Sequence, residues 1–129
     1  MARWLFKQEP SCYSYADLER DGSTVWDGVS NALAQKHLRQ VRAGDDVLLY
    51  HTGKEKAIVG EMKVISAQDG VVHVAPARRW TRPVTLAEIK ADPAFAEWEL
   101  VRMSRLSVMP VPERIWKRLQ KLAESDEDR

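Results

Sequence analysis

At 129 residues, 44% of them hydrophobic and 30% charged, the chain is long enough to bury one core and too short for two of ordinary size. No apolar run approaches the ~18 residues of a membrane span, the start Met1-Ala2-Arg3-Trp4-Leu5-Phe6-Lys7 meets a lysine before a signal-peptide core can form, and the single cysteine, Cys12, allows no internal disulfide. A soluble protein without internal disulfides is therefore expected, with a reducing, cytoplasmic compartment as the simpler reading. The net charge of +1 conceals an asymmetry: residues 124–129 hold four acids and one base, leaving 19 basic against 15 acidic groups in the rest. The sequence therefore predicts one domain over 1–123 and a disordered acidic tail over 124–129.

Trp4 to Lys7 reads as a first strand, closed by Pro10. Ser14 is placed to cap a short helix through Leu18 and Glu19, which Asp21-Gly22 stops. Val25-Trp26-Asp27-Gly28 reads as a tight, irregular segment, and a helix follows over Asn31 to Gln40 on the apolar positions Ala34 and Leu38. Val47 to Tyr50 is a buried strand. Ala57 to Ser66 and Val71 to Arg79 are two more, joined by the hairpin pair Asp69-Gly70. Beyond Pro83, Thr85 caps a helix over Leu86 to Lys90, and Asp92-Pro93 opens another through Trp98. Met103 to Val108 alternates, sending Ser104, Leu106 and Val108 one way and Arg105 and Ser107 the other, and a last strand fits Leu106 to Val111. Pro112 then starts a closing helix with a stripe of Ile115, Trp116, Leu119 and Leu122. The pattern predicts an α+β fold, a small mixed β-barrel with flanking helices.

The chain offers little to an enzyme. No Gly-x-Ser-x-Gly elbow, HExxH pair or glycine-rich phosphate loop occurs, and His37, His51 and His73 are dispersed, so no catalytic residue, metal or cofactor is expected. Two basic clusters suit a phosphate backbone or a plain solvated face: Arg78, Arg79 and Arg82, and the stretch 102–121 with Arg102, Arg105, Arg114, Lys117, Arg118 and Lys121. Trp26 stands either in the core or as a stacking platform for a nucleobase, with Asp27 and Asn31 close behind to read a base edge. Lys7 and Gln8 stand at a strand end, and Tyr50-His51-Thr52 ends a buried strand with hydrogen-bonding groups.

Taken in order, Trp4-Leu5-Phe6-Lys7-Gln8-Glu9-Pro10, Tyr13 to Leu18, Val25-Trp26-Asp27-Gly28-Val29-Ser30-Asn31, Val47 to His51, Arg82 to Leu86 and Ser104 to Val108 resemble the EVE-domain family over nearly the whole chain, from Trp4 to about Leu119. The resemblance implies the PUA-like fold shared with YTH and ASCH domains, and a pocket for a modified base such as a methylated or hydroxymethylated cytosine in DNA, or a modified RNA base. It also implies a bacterial cytoplasmic setting, with nucleic acid carrying a modified base as the partner. Carried over by motif, the pocket residues are Lys7, Gln8, Trp26, Asp27, Asn31, Tyr50, His51, Ser104, Arg105 and Ser107. Gln8 and Ser30 stand where many relatives have serine and arginine, and the connection Ser66 to Val71 is short, so a more open pocket rim is expected. An enzyme acting on a nucleotide and a protein-interaction module using the basic helix 113–121 are the rival readings.

Overall fold

The computed structural model describes residues 2–27 and 29–124. Six strands form one mixed sheet in the order β2-β5-β4-β3-β1-β6, curled into a half-barrel and flanked by five α-helices among the described residues. The strands are β1 (Arg3–Gln8), β2 (Thr24–Trp26), β3 (Asp46–His51), β4 (Ala57–Gln68), β5 (Val71–Thr85) and β6 (Val108–Pro110). The helices are α1 (Tyr15–Asp21), α2 (Ala32–Leu38), α3 (Leu86–Ala91), α4 (Glu99–Arg102) and α5 (Glu113–Glu124). The α+β expectation holds, with the expected small barrel formed as a half-barrel.

The apolar runs Trp4-Leu5-Phe6 and Val47 to Tyr50 are buried side by side because β1 and β3 are central and parallel, with Leu5 opposite Leu48 and Lys7 opposite Tyr50. A parallel pair needs a long crossover, and α1, β2 and α2 supply it. The β4–β5 hairpin turns at Asp69 and Gly70, whose φ angles of 53° and 81° are the left-handed pair that an Asp-Gly turn provides. Three register breaks between these long strands, the first at Ile58/Gly60, bend the sheet. Both early caps form as capping boxes: Ser14 with Asp17, and Thr85 with Glu88.

Four local expectations are corrected. Val25 and Trp26 belong to a short edge strand, paired with His73 and Val72 of β5, rather than to an irregular segment. β5 runs on past Arg79 to Thr85; β2 covers it only at residues 72–74, so Pro76 and Pro83 deprive no second neighbour of a hydrogen bond. The helix expected up to Trp98 breaks into a 3-10 turn (Pro93–Phe95) and α4. Trp98 itself is extended, because its indole is buried and its Nε1 donates to the Pro110 carbonyl at 3.0 Å. Finally, residues 104 and 105 turn, with the Leu106 amide donating to the Met103 carbonyl at 3.0 Å, and β6 starts only at Val108. Ser104 is exposed rather than facing inward with Leu106 and Val108.

Pro112 precedes α5, which buries Ile115, Trp116 and Leu119 as the stripe predicts and adds Ala123; Leu122 is half-buried. Of the acidic tail expected from Glu124, only that residue is described, closing α5 and pairing with Arg78 at 3.6 Å; residues 125–129 lie outside the described residues.

Candidate nucleic-acid interface

The parallel pairing of β1 with β3 brings Lys7 beside Tyr50 and Gln8 beside His51 at one end of the sheet. The 104–107 turn lies along the same end, because its chain descends into β6, the other neighbour of β1. The Lys7 amide donates to the Ser107 carbonyl at 2.9 Å, and its ammonium donates to the Ser104 carbonyl at 2.9 Å while standing 5.5 Å from the Tyr50 ring centroid. Burial lowers the Lys7 pKa and raises that of the Tyr50 phenol.

A cavity of about 290 Å³ opens at this end. Lys7, Tyr50 and Ser104 line it together with Lys56 and Lys90, its walls include Leu86 and Leu100, and no carboxylate is among its lining residues. Apolar walls with a few polar groups suit a small planar ligand, and the volume sits at the lower end of the ~300–1,000 Å³ typical of ligand pockets. Gly53, also in the lining, has a φ of +75°, and a Cβ there would fall 2.5 Å from Glu9 Oε2. The Glu9 carboxylate, which also accepts from Thr52 Oγ1 at 3.0 Å, packs against that bare glycine and ties the exits of β1 and β3 together.

The remaining expected residues are distributed differently. The Gln8 side-chain oxygen folds back onto the Glu9 amide at 3.0 Å. Arg105 is exposed on the turn and Ser107 is half-buried. His51 is buried and faces away from Lys7, into a cavity shared with Tyr15, Glu55 and Trp80. Its Nε2 accepts the Tyr15 amide at 3.1 Å and its Nδ1 lies 2.7 Å from Glu55 Oε1, so Nδ1 carries the proton and both ring nitrogens are engaged. The imidazole thereby ties β3 to the start of α1.

Trp26 is only 4% exposed, with its ring centroid 5.2 Å from that of Phe6, so most of its surface is packed in the core. With the exposed Asp27 it lines a separate cavity of about 330 Å³, bordered by Arg39, which follows α2, and by the hairpin residues Asp69 to Val71. Asn31 is the N-cap of α2, its side-chain oxygen accepting the Ala34 amide at 3.0 Å.

The basic clusters change meaning as well. Arg79 pairs with Glu19, Arg82 with Glu88, Arg102 with Glu97 and Arg118 with Asp92. Lys56 and Lys90, which the sequence reading passed over, have no acidic partner among the described residues. Gly53-Lys54 after a buried strand marks a turn, but nothing local in the sequence places Lys90 opposite it. Among the described residues no group of three or more His, Cys, Asp or Glu side chains is gathered to hold a metal ion, and no helix is long and apolar enough to cross a membrane.

Human thymocyte nuclear protein 1 is 34% identical over 76 residues, covering 50% of this chain and 34% of the human protein. The match thus spans about a third of the length of that curated relative. The NMR structure of Rpa0253 from Rhodopseudomonas palustris superposes with a TM-score of 0.90 at 34% identity, covering 97% of this chain and 94% of that one. The human THYN1 protein in complex with 5-methylcytosine containing DNA has the same fold, with a TM-score of 0.88 at 24% identity, covering 96% and 98% of the two chains. The EVE domain model matches residues 2–122, and the chain belongs to the EVE domain family.

Proposed function

We propose that this chain is a reader of modified bases, which takes one modified nucleobase of a nucleic-acid strand into the Lys7–Tyr50–Ser104 cavity and releases it unchanged. The observation that carries the reading is the cavity itself: apolar walls from Leu86 and Leu100, a phenol ring, hydrogen-bonding groups at Ser104, and cations without a carboxylate among them. A flipped base needs such a floor and rim. DNA is the first polymer to test and a methylated cytosine the first base, because the related human protein is bound to 5-methylcytosine containing DNA. An RNA base is the second. A single exposed cysteine, Cys12, fits a reducing cytoplasm.

Thermal shift with matched oligonucleotides, modified and unmodified, tests the reading. A strand present at ~100 times its dissociation constant should stabilise the fold by ~2.7 kcal/mol. Stabilisation by the modified strand alone supports the reader; equal shifts from both strands, or from neither, sink it. Mass spectrometry of the recovered strand separates the rival enzyme, since a reader returns the base intact and a changed mass transfers the site to a base-processing activity.

A further inference from the structure

Five cations lie in or beside the end of the sheet that holds the cavity: Lys7, Lys54, Lys56, Lys90 and Arg105. Three acids of the flanking segments have partners of their own. Glu55 meets His51 at 2.7 Å, Glu9 accepts from Thr52 and Ser11, and Glu88 serves Arg82 and the Thr85 cap. Lys7 is engaged too, its ammonium held by the Ser104 carbonyl at 2.9 Å. Among the residues that line the cavity, this leaves the ammonium groups of Lys56 and Lys90 without an acidic partner among the described residues.

The two lysines belong to one rigid corner. Lys56 has a φ of 46°, in the left-handed region that a lysine adopts only under constraint. Its carbonyl accepts the amide of Leu86 at 2.8 Å, which fastens the β3–β4 turn to the first residue of α3. Lys90 stands one turn further along α3, and the Thr85–Glu88 capping box fixes that helix at its start. Both lysines are exposed while lining the same cavity, so solvent screens their like charges, and an anion in the cavity would be attracted by both. A neutral base makes no use of this arrangement; a phosphate does.

We infer that Lys56 and Lys90 form a phosphate clamp on this cavity, so that its ligand is a nucleotide held through its own phosphate while the base supplies selectivity. The inference rests on the reading above that the cavity receives a nucleotide. Arg79, Arg82, Arg102 and Arg118, by contrast, are each already paired with a carboxylate of the fold.

A short single strand with one 5-methylcytosine tests it, prepared with charged phosphates or with neutral methylphosphonates on both sides of that nucleotide, alongside an unmethylated strand with charged phosphates. Titrations with the wild-type chain should show the methylphosphonate strand bound about tenfold more weakly, the loss of roughly one charge-assisted contact. In K56Q/K90Q the two methylated strands should bind alike, at the affinity of the neutral strand. K117Q on α5 should match wild type. Equal wild-type affinity for the charged and neutral strands overturns the clamp, as does a double variant that keeps the tenfold difference while its circular dichroism and melting temperature match wild type. If the methylated and unmethylated charged strands bind equally, but K56Q/K90Q weakens both, the reader falls and the clamp stands. Failure of every strand to bind removes both.

Discussion

The ammonium of Lys7 reaches across the end of the sheet to the main-chain oxygen of Ser104, 2.9 Å away and 97 residues later in the chain. The bond joins the exit of β1 to the turn that precedes β6, and both ends of it line the cavity. Lys7→Met keeps the aliphatic stem and removes the donor. We expect a modest stability loss of about 0.5–1.5 kcal/mol, since the bond is open to solvent, with faster amide exchange at Leu106 and weaker strand binding. Unchanged exchange at Leu106 together with unchanged binding would show that the tie has no positioning role.

Trp26→Ala should unfold the chain more readily before it alters recognition. The indole is buried against Phe6, and truncating a buried tryptophan costs about 3–5 kcal/mol in transfer and cavity terms. Urea denaturation measures this directly. Asp27→Ala, at an exposed neighbour, should leave the midpoint in place. A Trp26→Ala chain of wild-type stability that no longer binds would restore the stacking platform.

The parts of this fold that were legible in the sequence are those set by local chemistry. Ser14 and Thr85 cap helices because a hydroxyl one residue before the first turn, with an acid three residues on, satisfies free amides reciprocally. Asp69-Gly70 turns a hairpin because both residues accept a positive φ. The illegible parts are set by distant partners. Whether Trp26 is core or platform depends on Phe6, twenty residues earlier and two elements away. The alternation from Met103 to Val108 suggested a strand, but Ser104 is held in a turn by Lys7. The arginine clusters looked available until the fold brought Glu19 to Arg79 and Asp92 to Arg118. Lys56 and Lys90 line one cavity because the fold ties the β3–β4 turn to α3, through the Leu86 amide among others, and no spacing in the chain announces that.

His51 should prove a structural residue. Its Nε2 accepts the buried Tyr15 amide, so His51→Phe leaves that N–H unpaired, at a cost of about 1–3 kcal/mol. His51→Gln offers a carbonyl and should recover part of the loss. Because the ring faces away from the Lys7 cavity, the ratio of affinities for modified and unmodified strands should stay at the wild-type value in both variants that fold. A changed ratio in a stably folded His51→Gln chain would return the imidazole to the binding site.

The alkaline limit of the fold should be set by its tyrosines. Burial, reinforced by the charge of Glu19, pushes the Tyr15 phenol up to about 12, and burial also raises Tyr13 and Tyr50, the former aided by its hydrogen bond to Asp21. An unfolded chain ionises its tyrosines near the ordinary value of 10 while the folded chain still holds those protons. The folded state therefore binds more protons across this window, and stability falls as pH rises from about 10 towards 12. Lys7 acts in the opposite sense, since burial makes the folded chain release its proton below the ordinary 10.5, but it is one group against three. Absorbance of tyrosinate and circular dichroism, followed together from pH 9 to 12, should show the last phenol ionising in step with loss of the fold. In Tyr15→Phe that last step should disappear and the alkaline transition move to higher pH. A native-like circular dichroism spectrum with every tyrosine already ionised at pH 10.5 would refute the protected Tyr15.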